Sequence, residues 1–270
     1  MKKNSFFLKL LAIAVAFIVF TLSFSTVSAD SLPSQVQKIK ESGVLRVGVK
    51  QDVPNFGYLN SETNQYEGME VDIARKIAKA IGVKIQFTPV TAQTREPLMD
   101  NGQVDIIIAT FTITPERQES YNFSTPYYYD QIGFLVNKDS GISSSKDLDG
   151  KTIGVAQGST TKANLKLYAE EQGISFKFAE LGSYPELAIS LYANRIQAFS
   201  VDKSILSGYV SSKTKILDEG FNTQEYGIAT KKSNTEVIQY INTLIEKWSD
   251  DGSLEKIQAK YGLKSAEPTE

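Results

Sequence analysis

The 270-residue chain contains no cysteine and no histidine. Without cysteine it can form no disulfide, offer no thiolate nucleophile, hold no zinc through sulfur and carry no lipid-modified cysteine. Without histidine it lacks the commonest general acid/base and the commonest transition-metal ligand. Ser-His-Asp hydrolysis and histidine-based zinc sites are therefore excluded. An excess of one charge is absent too: 29 Lys and Arg against 31 Asp and Glu leave a net charge of −2, with no global attraction for nucleic acid. Past the N-terminus, no apolar run is long enough to span a bilayer. What is present, 41% hydrophobic and 22% charged residues, is the composition of a globular protein. The length supports one large domain or two of ordinary size, with core enough to need no covalent staple.

The first thirty residues read as an address. Met1-Lys2-Lys3 and Lys9 precede an unbroken apolar run from Leu10 to Phe20, and Val27-Ser28-Ala29 offers small residues for cleavage. This is a secretory signal over 1–29, cut after Ala29. The alternative is an uncut anchor, but the run is shorter than the ~20 residues a spanning helix needs. Cleavage removes three of the 29 basic residues, leaving 26 against 31 acidic ones, a net of −5. The working protein is expected outside the cytoplasm, in the periplasm or at the cell surface.

Beyond a polar lead-in (Asp30 to Glu41), short apolar runs alternate with helical patterns. Strands are predicted at Val44 to Val49, Lys84 to Phe87, Ile106 to Ala109, Ile132 to Val136, Thr152 to Val155, Ser175 to Phe178, Ala198 to Val201 and Gln224 to Ala229. Helices are predicted at Met69 to Ile81, Thr160 to Glu171, Tyr184 to Ala193, Ser204 to Val210, Thr235 to Asp250 and Ser253 to Tyr261. Alternation of this kind argues for α/β layers with largely parallel sheets. Polar stretches at Asn137 to Gly150 and Asp218 to Thr223 suggest two seams. They divide the chain into 30–137 plus 224–270 and an inserted 138–223, and two chain crossings make a natural hinge.

Several strand ends carry residues suited to binding. Thr110-Phe111-Thr112-Ile113-Thr114-Pro115-Glu116-Arg117 follows a buried strand and opens a helix, the place where α/β proteins bind anions. Arg117 adds a planar fork that fits one carboxylate, unless it is simply a solvated helix residue. Gly154 to Thr161 is again strand, glycine turn and hydroxyl-rich helix start, but it lacks both the G-x-G-x-x-G spacing and the Walker lysine. Asp202 ends the run Phe199-Ser200-Val201, as a ligand or as a plain helix cap. Lys50 ends the first strand, and a surface lysine is the ordinary reading there. Arg95 stands between a strand and a short helix. Tyr127-Tyr128-Tyr129 and Trp248 read as packing. No metal cluster and no paired carboxylates for acid/base work are evident, and no cofactor is expected.

These motifs, in this order, resemble the extracellular solute-binding proteins of ABC importers for polar amino acids, over nearly all of Val44 to Leu263. The resemblance is carried by Gly68-Met69-Glu70-Val71-Asp72, Thr112-Ile113-Thr114-Pro115-Glu116-Arg117, Asn122-Phe123-Ser124-Thr125-Pro126-Tyr127, Asp147-Leu148-Asp149-Gly150-Lys151 and Tyr226-Gly227-Ile228. It implies a two-lobed α/β periplasmic-binding-protein fold of type II whose lobes, joined by two crossover segments, close over a ligand. It further implies that Arg117 and Thr112 take the α-carboxylate, Asp202 the α-ammonium, and Thr160 and Thr161 supply donors from the second lobe. Val49-Lys50, Thr94-Arg95, Ala109-Thr110-Phe111-Thr112, Ser183-Tyr184-Pro185 and Ser200-Val201-Asp202-Lys203 look most like the aspartate- and glutamate-binding subgroup. That likeness implies that Lys50, Arg95, Thr110 and Tyr184 face the ligand side chain. Two departures stand out: Ala92 lies near where many members place an aromatic wall, and no lipobox cysteine is present for a tether. The implied partners are an L-amino acid and a membrane permease with its ATPase, with the binding protein a monomer.

Charge counting points the same way. Lys50, Arg95 and Arg117 against Asp202 give the expected cleft +2, which a dicarboxylic amino acid lowers to +1 and zwitterionic glutamine leaves unchanged. An unpaired buried charge costs on the order of 2–5 kcal/mol. The expected role is binding rather than catalysis. The alternatives are a protein for glutamine or another polar amino acid, and a secreted lyase or dehydratase on the same scaffold.

Overall fold

The computed structural model describes residues 32–266, so the expected signal and its cleavage site lie outside the described residues. The polar lead-in is a helix, α1 (Ser34–Ser42), closed by Gly43 in the left-handed conformation. Its start is tied to the C-terminal part of the chain, since Glu236 accepts from the Gln35 N–H and the Ser34 hydroxyl, both at 2.8 Å. Then come β1 (Val44–Val49), an antiparallel ribbon of β2 (Asp52–Val53), β3 (Gly57–Asn60) and β4 (Gln65–Glu67), and α2 (Met69–Ile81). The apolar period foreseen for α2 is its buried face: Met69, Val71, Ile73, Ala74, Ile77, Ala78 and Ile81, joined by Glu70. β5 (Lys84–Pro89), α3 (Arg95–Asp100), β6 (Ile106–Ile108), α4 (Pro115–Ser120) and β7 (Tyr121–Phe123) follow.

The 10-residue strand β8 (Tyr128–Asn137) leads into β9 (Thr152–Ala156), α5 (Thr161–Gln172), β10 (Lys177–Leu181), α6 (Tyr184–Tyr192), β11 (Ala198–Asp202) and α7 (Lys203–Ser207). The chain continues through β12 (Thr214–Ile216), β13 (Phe221–Tyr226), β14 (Ala229–Lys231), α8 (Thr235–Asp250) and α9 (Ser253–Lys260). Among the described residues, no helix is long and apolar enough to cross a membrane.

Two main sheets result. The first has the order β5-β1-β6-β14-β7, with β1 parallel to both neighbours and β14 antiparallel to β6 and β7. The second runs β10-β9-β11-β8-β12, with β9 parallel to β10 and β11, while β8 is antiparallel to β11, β12 and β13. Each sheet has its own core. Val90, Met99, Val104, Ile107 and Phe111 belong to one, and Phe134, Ile153, Val155, Leu165 and Leu217 to the other. The fold is thus a two-lobed α/β structure.

The strand pairing moves the passages between sheets away from the polar stretches that suggested seams. β8 is already part of the second sheet, so the outward passage precedes Tyr128, and β13 pairs with β8 as far as Tyr226, so the return falls at Gly227 and Ile228. Asn137 to Gly150 is instead a connection with two short 3-10 turns, bent by Gly141 at φ 73°, pinned to the second core by Ile142 and Leu148 and anchored where the Asn137 amide donates to the Leu191 carbonyl at 2.8 Å. The two passages are bonded to each other: Tyr127 N–H donates to the Tyr226 carbonyl (2.9 Å) and Ser124 N–H to the Ile228 carbonyl (2.8 Å).

The lobes meet closely at Gly158, which has φ +74°; a Cβ there would lie 2.7 Å from the Ala92 carbonyl oxygen and 2.8 Å from the Gln93 Cα. Gly158→Ala therefore adds both steric overlap and left-handed strain, a cost of about 1–3 kcal/mol in this closed arrangement. The expected result is a larger radius of gyration by small-angle X-ray scattering; a profile identical to that of the native chain would remove Gly158 from the contact that limits closure.

Candidate functional site

Strand ends and helix starts from both lobes converge between the sheets, where α/β proteins place ligands. Lys50 follows β1 and is only 2% exposed, so the ordinary surface-lysine reading does not hold. Its Nζ lies 4.5 Å from the ring centroid of Tyr184, at the start of α6, and 3.7 Å from Asp52. Burial pushes the Lys50 pKa down to about 8, against the opposing pull of Asp52.

Arg95, the first residue of α3, is also 2% exposed. Its Nη1 donates to the carbonyls of Ala109 (2.9 Å) and Thr110 (3.2 Å), while its buried Nε has no partner. Both carbonyls come from the segment after β6, where Thr110 adopts φ +46°. The Arg95 guanidinium sits 4.0 Å from the centroid of Phe111, and that of Arg117 4.6 Å from the same ring. Burial lowers the pKa of Arg95, and burial followed by repulsion from Arg95 lowers that of Arg117.

Arg117 is held by the expected local signals. Thr114 caps α4, accepting from the Arg117 N–H at 3.2 Å, with Pro115 in the first turn. Its guanidinium donates to the Thr112 carbonyl (2.8 Å) and, across to the second lobe, to the Gly158 carbonyl (3.0 Å), with Glu96 3.4 Å from Nε. Two of the five guanidinium N–H groups are thus hydrogen-bonded and a third, on Nε, faces Glu96, leaving one on each terminal nitrogen. Thr112 bridges to Tyr226, the last residue of β13 before the return passage.

From the second lobe, Asp202 at the end of β11 is buried and accepts from the Tyr226 hydroxyl on one carboxylate oxygen. It makes no capping bond to α7, so helix capping does not explain it. Burial raises the pKa of Asp202, opposed by Tyr226, Arg95 and Arg117; Asp130 nearby is raised by burial and by Asp202 itself. Thr161 is buried at the start of α5, and the Thr160 hydroxyl donates to Gln224 of β13 at 2.8 Å. A groove of about 490 Å³ runs over Glu96, Arg117, Tyr121 and Thr160.

Sequence reading missed the acids here. Glu70 is 0% exposed, accepting from the Thr110 N–H at 2.6 Å and the Tyr127 hydroxyl at 2.5 Å. The signal was available: Glu70 shares a helical face with Ile73, Ala74 and Ile77, at spacings of three, four and seven. Burial raises its pKa to about 7, despite those two hydrogen bonds and the nearby Lys50 and Arg95. Including Glu70 corrects the cleft count from +2 to +1 when it is ionised; Asp52, whose Oδ1 faces Lys50 and is buried without a hydrogen-bond partner, lowers it further, and Glu96 stands at the margin.

This is the architecture and strand-end geometry of a two-lobed binding protein for a small polar solute. A family model for bacterial extracellular solute-binding proteins, family 3, matches residues 45–264, and the chain belongs to that family. A glutamine-binding protein of Geobacillus stearothermophilus is 39% identical over 73% of this chain and 76% of its own length. An L-glutamate/L-aspartate-binding protein of Pseudomonas aeruginosa is 28% identical over 90% of this chain and 85% of its own. Among solved structures, an ancestral amino-acid-binding protein described as a precursor of cyclohexadienyl dehydratase matches with a TM-score of 0.76, at 28% identity over 84% of this chain and 99% of the other.

The Glu70 carboxylate gives a stability prediction. With its folded pKa raised from 4.5 to about 7, the group favours folding below pH 4.5, and this contribution is lost as pH rises through 7. Relative to Glu70→Gln, the unliganded native protein should lose about 3 kcal/mol between pH 4.5 and pH 8. Urea unfolding of both proteins across that range measures it; a stability difference that does not change with pH would mean Glu70 titrates normally.

Proposed function

We propose that this protein is the extracytoplasmic binding component of an ABC importer, capturing aspartate and glutamate by lobe closure and delivering them to a membrane permease driven by its ATPase. The observation that carries the acidic reading is Arg95: a guanidinium shut off from water, bonded only to carbonyls and left with a bare Nε. Such a group calls for an anion. In this reading Arg117 and Thr112 meet the α-carboxylate, using the two free N–H groups of Arg117. The free oxygen of Asp202 meets the ammonium, Thr161 adds a hydroxyl donor, Thr160, whose hydroxyl proton is given to Gln224, offers its backbone N–H, and Lys50, Arg95, Thr110 and Tyr184 surround the side-chain carboxylate. These groups are all taken up by ligand charges, so the role is binding and not turnover. Incubation with aspartate or a cyclohexadienyl acid should return the compound unchanged.

A second reading, glutamine or another polar amino acid, is favoured by one feature: Glu70, Asp52 and Glu96 lie near the three cations. The similarity to a glutamine-binding protein also supports it. Calorimetric titration of ligand-stripped protein separates the two. Aspartate and glutamate should bind more tightly than asparagine and glutamine by roughly 2–5 kcal/mol, and Arg95→Leu should narrow that gap. Equal binding of glutamine and glutamate would leave only the second reading.

The α-group clamp has its own test. Arg117→Ala and Asp202→Ala should each weaken every amino-acid ligand by roughly 2–5 kcal/mol, about 30- to 4,000-fold. Normal binding by either variant would remove that residue from the clamp.

A further inference from the structure

Glu70 has no part in the proposed clamp, yet it occupies a core position on α2 that an aliphatic side chain would fill without desolvating a carboxylate. Its Oε2 is buried without a partner. What Oε1 holds is the backbone N–H of Thr110, at 2.6 Å. Thr110 is β-branched and sits at φ +46°, a conformation such residues rarely adopt. That conformation has a consequence for Arg95. In an extended strand successive carbonyls point to opposite sides, so one nitrogen cannot bond both. The turn at Thr110 brings the carbonyls of Ala109 and Thr110 together on Arg95 Nη1.

We propose that Glu70 is a positioning residue for ligand selectivity: by holding the Thr110 N–H it fixes the turn whose two carbonyls orient Arg95 in the cleft. The inference rests on the reading that Arg95 meets the ligand side chain. The groups facing Glu70 are Thr110 and Tyr127, which donate to it, and the cations Lys50 and Arg95. Glu70 thus acts by reach or by charge, and two substitutions separate these. Glu70→Gln keeps the reach and removes the charge; Glu70→Asp keeps the charge and falls one methylene short of Thr110.

The experiment is calorimetry of ligand-stripped protein with glutamate and with glutamine. Glu70→Gln keeps the turn and removes one negative charge from the cleft, so it should bind glutamate at least as tightly as native, whereas Glu70→Asp should lose about tenfold or more in glutamate affinity. In an Arg95→Ala background, Glu70→Asp should have little further effect, because both changes remove the same interaction. A merely structural role would give additive losses instead. Native-like binding by Glu70→Asp, an equal loss in Glu70→Gln, or additivity with Arg95→Ala would each overturn the proposal. If Glu70→Asp fails to fold by circular dichroism, Glu70→Gln decides: affinity at or above native supports positioning and a tenfold loss overturns it. The native titrations test the acidic reading separately. A native protein that prefers glutamine defeats that reading, and the Glu70 comparison is then made on glutamine.

Discussion

Three cationic side chains are taken out of water in one small volume, and much of the site is arranged around that cost. Lys50 and Arg95 are 2% exposed, and the Arg117 side chain 11%. Like charges so confined repel one another and lose their hydration. The answer lies mainly in dipoles and ring faces. Phe111 lies beneath both guanidiniums and Tyr184 beside the ammonium, a favourable arrangement for cations. Carbonyls of Ala109, Thr110, Thr112 and Gly158 supply partial negative charge. Carboxylates lie within 4 Å of Lys50 and Arg117 only, at 3.7 and 3.4 Å. Partial charges steady a cation without neutralising it, so attraction for an anion survives.

This arrangement uses both lobes. Arg117 reaches the Gly158 carbonyl, Lys50 lies against Tyr184, and the Tyr209 hydroxyl donates to the Asp52 carbonyl. The strand ends that feed the passages between lobes are themselves part of the site. Tyr226, the last residue of β13, donates to Asp202 and packs its ring on Tyr128 and Phe56, so a carboxylate of the cleft is bonded to the residue next to the return passage. Movement of one lobe about these passages alters the surroundings of Asp202 as well as the distance across the cleft.

The alternating grammar of strand and helix was legible because period-two and period-3.6 burial leave clear traces, as in α2. The residues gathered at strand ends were legible for a similar reason: α/β layers direct those ends to one crevice. The boundaries were not. Polar composition marks solvent exposure, and Asn137 to Gly150 is largely exposed around the buried anchors Ile142, Ser145 and Leu148, whereas the passages between the sheets run through buried Tyr127 and Ile228 and carry no linker signature. Glu70 was hidden by its type, since a carboxylate on a core face is read as surface. Only the helical spacing contradicted that.

Glu70 also changes how the cleft's charge should be weighed. A count of Lys50, Arg95, Arg117 and Asp202 gives +2, but Glu70 is fully buried and its pKa lies near 7. The effective count therefore lies between +1 and +2 at neutral pH. Glu96, 35% exposed, is screened by solvent. Asp52 is not: its side chain is 14% exposed, and the Oδ1 that faces Lys50 at 3.7 Å is buried without a hydrogen-bond partner. Counting Asp52 lowers each total by one. With Glu70 protonated the inner site then carries +1, which an acidic amino acid of net −1 brings to zero and an amide leaves unchanged. With Glu70 ionised the site is already neutral, and the amide leaves the smaller residue of charge. Charge thus favours the acid while Glu70 holds its proton, which ties the selectivity of the cleft to the protonation of that one buried group.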